Sequence, residues 1–567
     1  MTRPPVLLAS VSRRATLAGI AGAALLSLLP APVFAAAADD TFRHGVASGD
    51  PDTTSVVLWT RVSDVTGPMV IAWELAADPD FERILRSGKA ETGMDRDFTV
   101  KVLADRLPAG GVFWYRFHTE DKTSPIGRTR TLPTGRLDRL GIALASCSNY
   151  AFGFFNAYDA IASDADVEFV LHTGDYIYEY GGEGSWGDGV ARRLGRVHEP
   201  VREIVSLDDY RIRHAQYKTD AGSRAMHAAH PLLCCWDDHE SANNPWTGGA
   251  QNHQSASEGD WESRREASLR AYYEWMPIRE PEAGRTRAQF WRDYSFGDLA
   301  TLFTLETRHT ARALQIDYAA FEGKITSMAD ARRIENETVN APGRLMLAPE
   351  LETDLEAALA RSVKARQPWR LIGNQIPIAR MRVPDVVALG LLPDPDKTPD
   401  ASKAAKELAW KGKWNLPFYP DTWDGYEWAR ERLYALSRRS GAGDLIFLTG
   451  DSHSFWANRL ADAKGRPSGI ELGTAGITSP GDFLESAFGP ETARKLDRVF
   501  TAHNPEVVWT DNMHQGYVRL VLARTGAQAS FVAVDTVLSP LYRTHTLKRY
   551  AIARERGALR LREGSPS

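Results

Sequence analysis

Six short, continuous apolar runs constrain this chain more than any other feature. They read "LGIALAS", "VEFVLHTG", "PLLCCW", "ATLFTLET", "WRLIGNQ" and "LIFLTGD", spread between residues 140 and 451. A strand that is apolar on both faces, with no alternation, has to be covered on both faces. Longer helical stretches such as "PELETDLEAALARSVKAR" lie between the runs. Buried strands separated by helices predict an α/β domain whose central β-sheets are flanked by helices. Near its end, "GYVRLVLAR" and "ASFVAVDT" predict a hairpin.

The chain has 567 residues, more than one core usually holds. The residues before the α/β region follow a different pattern. "SVVLWTRV", "MVIAWELA", "FTVKVL" and "GVFWYRFHT" are short β-branched and aromatic runs, and turn residues such as "SGDPDTT" and "LPAGG" separate them. Regular short strands predict a small β-sandwich over residues 40–136. The α/β domain then covers residues 137–545, and residues 546–567 read as a basic C-terminal tail, its "ERGALRLREGSPS" end frayed.

The first residues carry an address. Arg13 and Arg14 precede an apolar stretch that exits at Val33-Phe34-Ala35. This predicts a twin-arginine signal over residues 1–37, cleaved near Ala35. The expected partner during export is the twin-arginine translocase, and the expected location is periplasmic or extracellular, with no stable membrane span. A formal net charge of -5 gives no reason to expect nucleic acid or an anionic membrane surface as a partner. Cysteine is scarce for an exported chain: only Cys147, Cys234 and Cys235. Adjacent Cys234 and Cys235 point to opposite faces of a strand and do not pair, so Cys147 is a candidate for chemistry.

Functional groups in α/β sheets collect just past the carboxyl ends of the strands. Four strand ends here carry unusual residues. "ASCSNY" supplies Cys147 and Asn149; "HTGDYIYEY" supplies Asp175, Tyr176 and Tyr178. "CCWDDHESANN" supplies Asp237, Asp238, His239, Asn243 and Asn244, and "TGDSHSFW" supplies Asp451 and His453. The mixture suits more than one metal ion. Phenolate and thiolate form most readily on a strongly acidic ion such as Fe(III), while carboxylate and amide oxygens favour a harder ion such as Ca²⁺, Mg²⁺ or Mn²⁺. Two cations about 3.5–4 Å apart activate water and clamp a phosphoryl group. His239, beside the acidic pair, is placed to protonate a leaving oxygen or to bind phosphate. Other features are expected to be bland: His214, His227 and His230 as surface or packing groups on a helix, and glycine-rich residues 181–193 as an ordinary loop or a rim over the pocket.

At these residues the chain resembles the alkaline phosphatase D (PhoD-like) family of exported metallophosphoesterases. "FRHGVASGDPDTTSVVLWTRV" resembles the opening of that family's N-terminal sandwich. "GRVHEPVREIVSLDDYRIRHAQYKTD", "WDDHESANNPW", "YYEWMPIR" and "LTGDSHSFWANRL" resemble its catalytic domain. The resemblance implies an Ig/fibronectin-like sandwich followed by a metallophosphoesterase-type catalytic domain that binds Fe(III) and Ca²⁺ and hydrolyses phosphate esters. Carried over by motif, Cys147, Asp175 and Tyr178 are ferric ligands, with Asp175 also reaching the calcium side. Asp238, Asn244, Asp451 and His453 are further metal ligands, undivided between the ions, and His239 contacts phosphate or donates a proton. "LETRHTAR" carries Glu306 where the family more often has Asp, which leaves Arg308 without an assigned role. The substrate class implied is a phosphate monoester or diester, a phospholipid or teichoic-acid-like diester among the candidates. Two rival readings make Cys147 a nucleophile with His239 or His453 as base, or make the chain a non-enzymatic, metal-stabilised envelope binding protein.

Overall fold

In the computed structural model, residues 40–564 are described apart from Asp396, Pro399, Ala487 and Arg556, so the signal read over residues 1–37 lies outside the described residues. Two large sheets dominate. The first has ten strands. From one edge it runs Ala558–Glu563, Thr544–Glu555, Ala527–Val534, Gln515–Ala523, Arg139–Ala145, Phe169–His172, Leu232–Cys234, Val46–Gly49, Val56–Arg61 and Thr99–Ala104. Strands 139–145, 169–172 and 232–234 are mutually parallel neighbours. The second sheet has seven strands, in the order Arg292–Phe296, Ala300–Thr304, Trp369–Gly373, Leu445–Thr449, Pro467–Gly473, Phe455–Ala461 and Val507–Asp511. Its strands 300–304, 369–373, 445–449 and 467–473 are parallel.

The continuous apolar runs are explained by what covers each face. Successive side chains of a strand point to opposite sides. Ile142, Leu144 and Leu171 of the first sheet meet Leu302, Leu371, Ile446 and Leu448 of the second in one buried cluster between the sheets. The alternate residues Ala143, Val170 and Leu232 turn the other way, against Tyr210, Tyr217, Met226 and Leu269 from helices Leu207–Lys218, Ala221–Ala229 and Trp261–Trp275. On the far side, Phe303, Ile372, Leu445 and Phe447 pack on Leu351, Leu355, Leu359, Leu433 and Leu436 from helices Pro349–Lys364 and Glu427–Arg439. The fold is α/β, with two sheets between helical layers. Helix Leu207–Lys218 starts with a capping box of Ser206 and Asp209, which satisfies free N–H groups of its first turn.

Near the N-terminus, four strands (Ile84–Thr92, Met69–Ala76, Val112–His118 and Gly127–Arg130) form a separate sheet. Its Ile71, Leu75, Phe113 and Phe117 share a buried cluster with Val46, Val56, Leu58 and Val100. The latter residues lie on strands of the ten-stranded sheet, which Val46–Gly49 joins through the Gly49–Leu232 register pair. Trp59 Nε1 donates to the Glu274 carbonyl oxygen at 2.9 Å. The N-terminal strands are therefore pinned to the main sheet by backbone pairing as well as by side chains.

One sequence expectation needs correction. The basic tail read over residues 546–567 is not frayed: strands Thr544–Glu555 and Ala558–Glu563 form a hairpin at the edge of the ten-stranded sheet. Tyr550, Ile552, Leu559 and Leu561 point into the cluster between the sheets, while Arg560 and Arg562 point away. Its basic composition masked a period-2 alternation. Of the two alternatives for His214, His227 and His230, surface or packing, the structure shows packing: all three are buried. The hairpin expected from "GYVRLVLAR" and "ASFVAVDT" is formed by Gln515–Ala523 and Ala527–Val534.

Candidate metal centre

The carboxyl ends of the parallel strands in both sheets open at one end of the molecule, and there the backbone is contorted. Cys147 (φ 61°), Asp175 (φ 55°), Asp451 (φ 64°) and His453 (φ 52°) follow strand ends in the left-handed region, and Asn244 (φ 50°) adopts it in its loop. Such conformations cost non-glycine residues of order 1–3 kcal/mol each and persist where surrounding structure dictates them. Neighbouring strand ends supply that pressure. At Gly174 (φ 100°) a Cβ would sit 2.3 Å from the Asp237 backbone nitrogen, and at Gly450 it would sit 2.2 Å from Ser146 Oγ. Both Thr-Gly-Asp turns need glycine because another strand end lies against them.

The side chains converge. Asp175 Oδ2 lies 3.4 Å from Cys147 Sγ and 3.3 Å from Tyr178 Oη. Tyr178 Oη is in turn 3.3 Å from His453 Nε2 and 2.8 Å from Ser479 Oγ. Three sets of potential ligand atoms each lie within 4.8 Å of one another: Cys147, Asp175 and His453; Asp175, Asp238 and His239; Asp237, Asp238 and Asp451. Asp175 belongs to two sets and Asp238 to two, so they form one continuous centre. Asn244 meets it through its backbone, which donates to Asp238 Oδ2 at 2.9 Å, while its side-chain Nδ2 donates to Gln251 Oε1 at 2.8 Å. The residues fit a cation centre on an observation of their own: Asp237 Oδ2 and Asp238 Oδ1 are buried and have no hydrogen-bond partner.

Models of two families match the chain: PhoD-like phosphatase over residues 142–531, and PhoD-like phosphatase, N-terminal domain, over residues 28–133. The chain belongs to the PhoD-like phosphatase family. It is 31% identical over 542 residues to alkaline phosphatase D of Bacillus subtilis (strain 168), an alignment covering 92% of this chain and 82% of that protein. A solved structure described as "Structure of PhoD" superposes with a TM-score of 0.74 at 28% identity, covering 93% of both chains. As a PhoD-like phosphatase, the protein is a phosphoric ester hydrolase.

The electrostatics of this PhoD-like phosphatase centre demand positive charge. Burial, then the neighbouring Asp238, pushes Asp175 well above the usual carboxylate range; burial, then Asp237, does the same to Asp451. Burial raises Asp237 to about 6. Burial and Asp175 push the Cys147 thiol and the Tyr178 phenol well up. Asp238 goes the other way: burial opposes its charge, but His239 and Arg308 outweigh it and hold it ionised. Burial also opposes charge on His239, and Asp238, Glu179 and Asp175 overcome it, so its pKa is raised well above normal. A thiol, a phenol and several carboxylates held toward their protonated forms ionise together only when cations enter.

Sequence reasoning missed the residues that fix this arrangement. Arg308 is fully buried; its Nε donates to Asp237 Oδ1 at 2.5 Å and its Nη2 to Asp451 Oδ1 at 3.2 Å. Glu306 holds the turn that presents it. Its Oε1 accepts from the backbone N–H groups of Arg308 (2.8 Å) and His309 (2.7 Å) and from Trp236 Nε1 (3.2 Å). Glu240 ties two ligand turns together, accepting from the N–H groups of Asp175 (3.1 Å) and Asp237 (2.7 Å). Glu179 Oε2 accepts from His239 Nδ1 at 2.6 Å and orients that ring. The glycine-rich segment expected to be a loop is helical from Asp188 to Leu194, and the part before it lies against the centre: the Trp186 indole stacks on His453 with centroids 5.5 Å apart and planes at 16°. Only the unusual "LETRHTAR" offered a signal, and it did not say which way Arg308 points.

Proposed function

We propose that this PhoD-like phosphatase is an exported, metal-dependent phosphatase or phosphodiesterase with an iron and calcium centre. The observation carrying the reading is that Asp175 belongs both to a thiol and imidazole set and to a carboxylate set. Cys147, Asp175, Tyr178 and His453 would hold Fe(III), whose acidity suits thiolate and phenolate; Asp238, Asn244 and Asp451, with Asp237 beside them, would hold Ca²⁺. Bound there, the ions would supply Lewis acidity to the phosphoryl oxygens and to the attacking water.

The chain's own residues have distinct tasks. Arg308, fully buried and forked between Asp237 and Asp451, positions the carboxylates that would hold the ions. His239, kept protonated by its buried carboxylates and held by Glu179, donates a proton to the leaving oxygen as the P–O bond breaks. Water contributes the new oxygen on phosphorus, so an ester and water become an alcohol and a phosphate. Burial of Cys147, and a thiol held up in its protonated form, count against the cysteine-nucleophile reading.

The reading assigns residues 40–136 to an Ig/fibronectin-like sandwich, supported by the buried cluster shared between its two sets of strands, and residues 137–545 to a metallophosphoesterase-type catalytic domain. Export through the twin-arginine translocase to a periplasmic or extracellular site is supported by Arg13 and Arg14. No helix among the described residues is long and apolar enough to cross a membrane.

The deciding experiment compares initial rates on p-nitrophenyl phosphate and bis-p-nitrophenyl phosphate with calcium present. Turnover of either is expected. Inertness toward both, in protein shown to carry its metals, overturns the reading. A second outcome concerns the iron side alone: Tyr178→Phe removes a visible phenolate-to-iron absorption band. A band unchanged in an iron-loaded variant refutes Tyr178 as a ligand.

A further inference from the structure

Residues 181–189 read "GGEGSWGDG", so one aromatic side chain, Trp186, stands in a stretch of small and acidic residues. The glycines explain where its indole goes. Gly187 has φ 88°, and a Cβ there would meet Phe152 Cε2 at 2.9 Å. The chain passes close over Phe152 because that position lacks a side chain and tolerates the left-handed backbone. The turn before it is tied down. Ser185 Oγ donates to the carbonyl oxygens of Gly181 and Gly182, both at 2.6 Å, and the Gly184 N–H donates to Asp188 Oδ2 at 2.9 Å.

The indole so placed joins three strand ends of the centre. It meets Phe152, just beyond the Cys147 turn, edge to face with centroids 4.7 Å apart. It lies 5.7 Å from the ring of Tyr178, on the Asp175 turn, and 5.5 Å from that of His453, on the Asp451 turn, with indole and imidazole planes 16° apart. His453 has a left-handed backbone (φ 52°) in the bend between strands Leu445–Thr449 and Phe455–Ala461, so no regular element sets its ring. A neutral imidazole offers its lone pair in the plane of the ring, and a ligand has to aim that plane at the ion. A hydrogen bond fixes a ring by occupying one nitrogen. A face-to-face contact fixes the plane and leaves both nitrogens free.

Trp186 is also set apart from the space open to substrate. A cleft of about 1150 Å³, with aromatic walls at Trp246, Trp410, Phe418 and Tyr419, adjoins the centre at Asn244 and Asp421, and Trp186 is not among its lining residues. We infer that Trp186 is a positioning residue for the thiol side of the metal centre, setting the ring planes of His453 and Tyr178 and so the direction in which they present nitrogen and oxygen to an ion. The inference rests on the metal-centre reading above and adds a residue that touches neither ion nor substrate. It acts as outer partners of metal-bound histidines do, by restricting the ligand before the ion arrives.

The test uses purified, metal-loaded protein and two substitutions. Trp186→Phe keeps a flat ring; Trp186→Leu keeps an apolar cover without one. Two properties are read: the rate at which excess EDTA removes transition-metal ion, followed by elemental analysis, and kcat and KM on p-nitrophenyl phosphate. Trp186→Leu is expected to lose the ion at least about tenfold faster and to lower kcat about tenfold, since lost outer partners typically cost about 10- to 100-fold. Its KM should stay within about twofold, because no substrate contact is removed. Trp186→Phe should stay within about threefold of wild type in both properties, its ring restoring the stacked face. Metal retention in Trp186→Leu equal to wild type overturns the inference, and so does a Trp186→Phe variant as impaired as Trp186→Leu. A raised KM with unchanged metal retention overturns it too, making the indole a substrate contact. Wild-type protein that carries no transition-metal ion sinks the metal-centre reading itself, a result read before any variant is made.

Discussion

Asp175→Asn lowers kcat/KM on p-nitrophenyl phosphate by at least about 1,000-fold, equivalent to about 4 kcal/mol of transition-state stabilisation. The substitution is nearly isosteric and keeps an oxygen to accept from the His239 backbone N–H, 3.4 Å from Asp175 Oδ1. What it removes is the one carboxylate common to the thiol side and the carboxylate side of the centre. The loss should therefore appear as reduced metal content on both sides. Stability moves in the opposite direction in the metal-free protein. The folded-state pKa of Asp175 is raised by burial and by Asp238. An acid with a raised folded pKa loses stability for the fold as pH climbs above the unfolded carboxylate range. Metal-free Asp175→Asn is thus expected to melt at or above the metal-free wild type at pH 8, with the difference vanishing near pH 4. Wild-type turnover by the variant, or a metal-free variant that melts well below wild type at pH 8, would sink the assignment.

Arg308→Ala is expected to be costly in both respects. Arg308 is fully buried and is the guanidinium that Asp237, Asp238 and Asp451 share, with the shortest contact to Asp237. Removing one member of a buried ion cluster leaves uncompensated charge and typically costs about 3–5 kcal/mol. Denaturant unfolding of the metal-free protein reads that loss directly, because added metal would mask it. Activity should fall at least about 100-fold as the carboxylates proposed to hold the ions lose the guanidinium that positions them. Arg308→Lys tests geometry: a point charge cannot reproduce a planar fork, so it should recover much of the stability and little of the activity. Full activity in Arg308→Lys would mean that Arg308 serves the fold alone.

The departure at Glu306 now has a physical account. In "LETRHTAR" the longer carboxylate reaches Trp236 and the N–H groups of Arg308, His309 and Thr310. It acts as the clamp on the arginine's turn. The residue type was visible in the sequence; its partners, up to 70 positions away, were not.

Local rules made the alternation of buried strands and helices legible, along with the Gly-Asp turns and the aromatic and acidic residues after them. Continuous apolar runs can only be strands covered twice, and glycine before aspartate marks a strand that turns sharply. Those signals act within a few residues, so the four strand ends bearing Cys147, Asp175, Asp238 and Asp451 could be singled out without coordinates, while the choice of Tyr178, Asp238, His239, Asn244 and His453 among their neighbours came from the family resemblance. The C-terminal hairpin was locally encoded too, but its arginines outweighed the alternation of Tyr550, Ile552, Leu559 and Leu561. Tertiary structure alone decided which residues meet. It brought Arg308 to three aspartates, Glu179 to His239 and Trp186 to His453, and set the aromatic cleft beside the centre. Each of these pairings joins segments that share no periodicity: Glu179 and His239 meet because their strands are parallel neighbours in one sheet, and the others exist only once two sheets have packed face to face and placed their strand ends together.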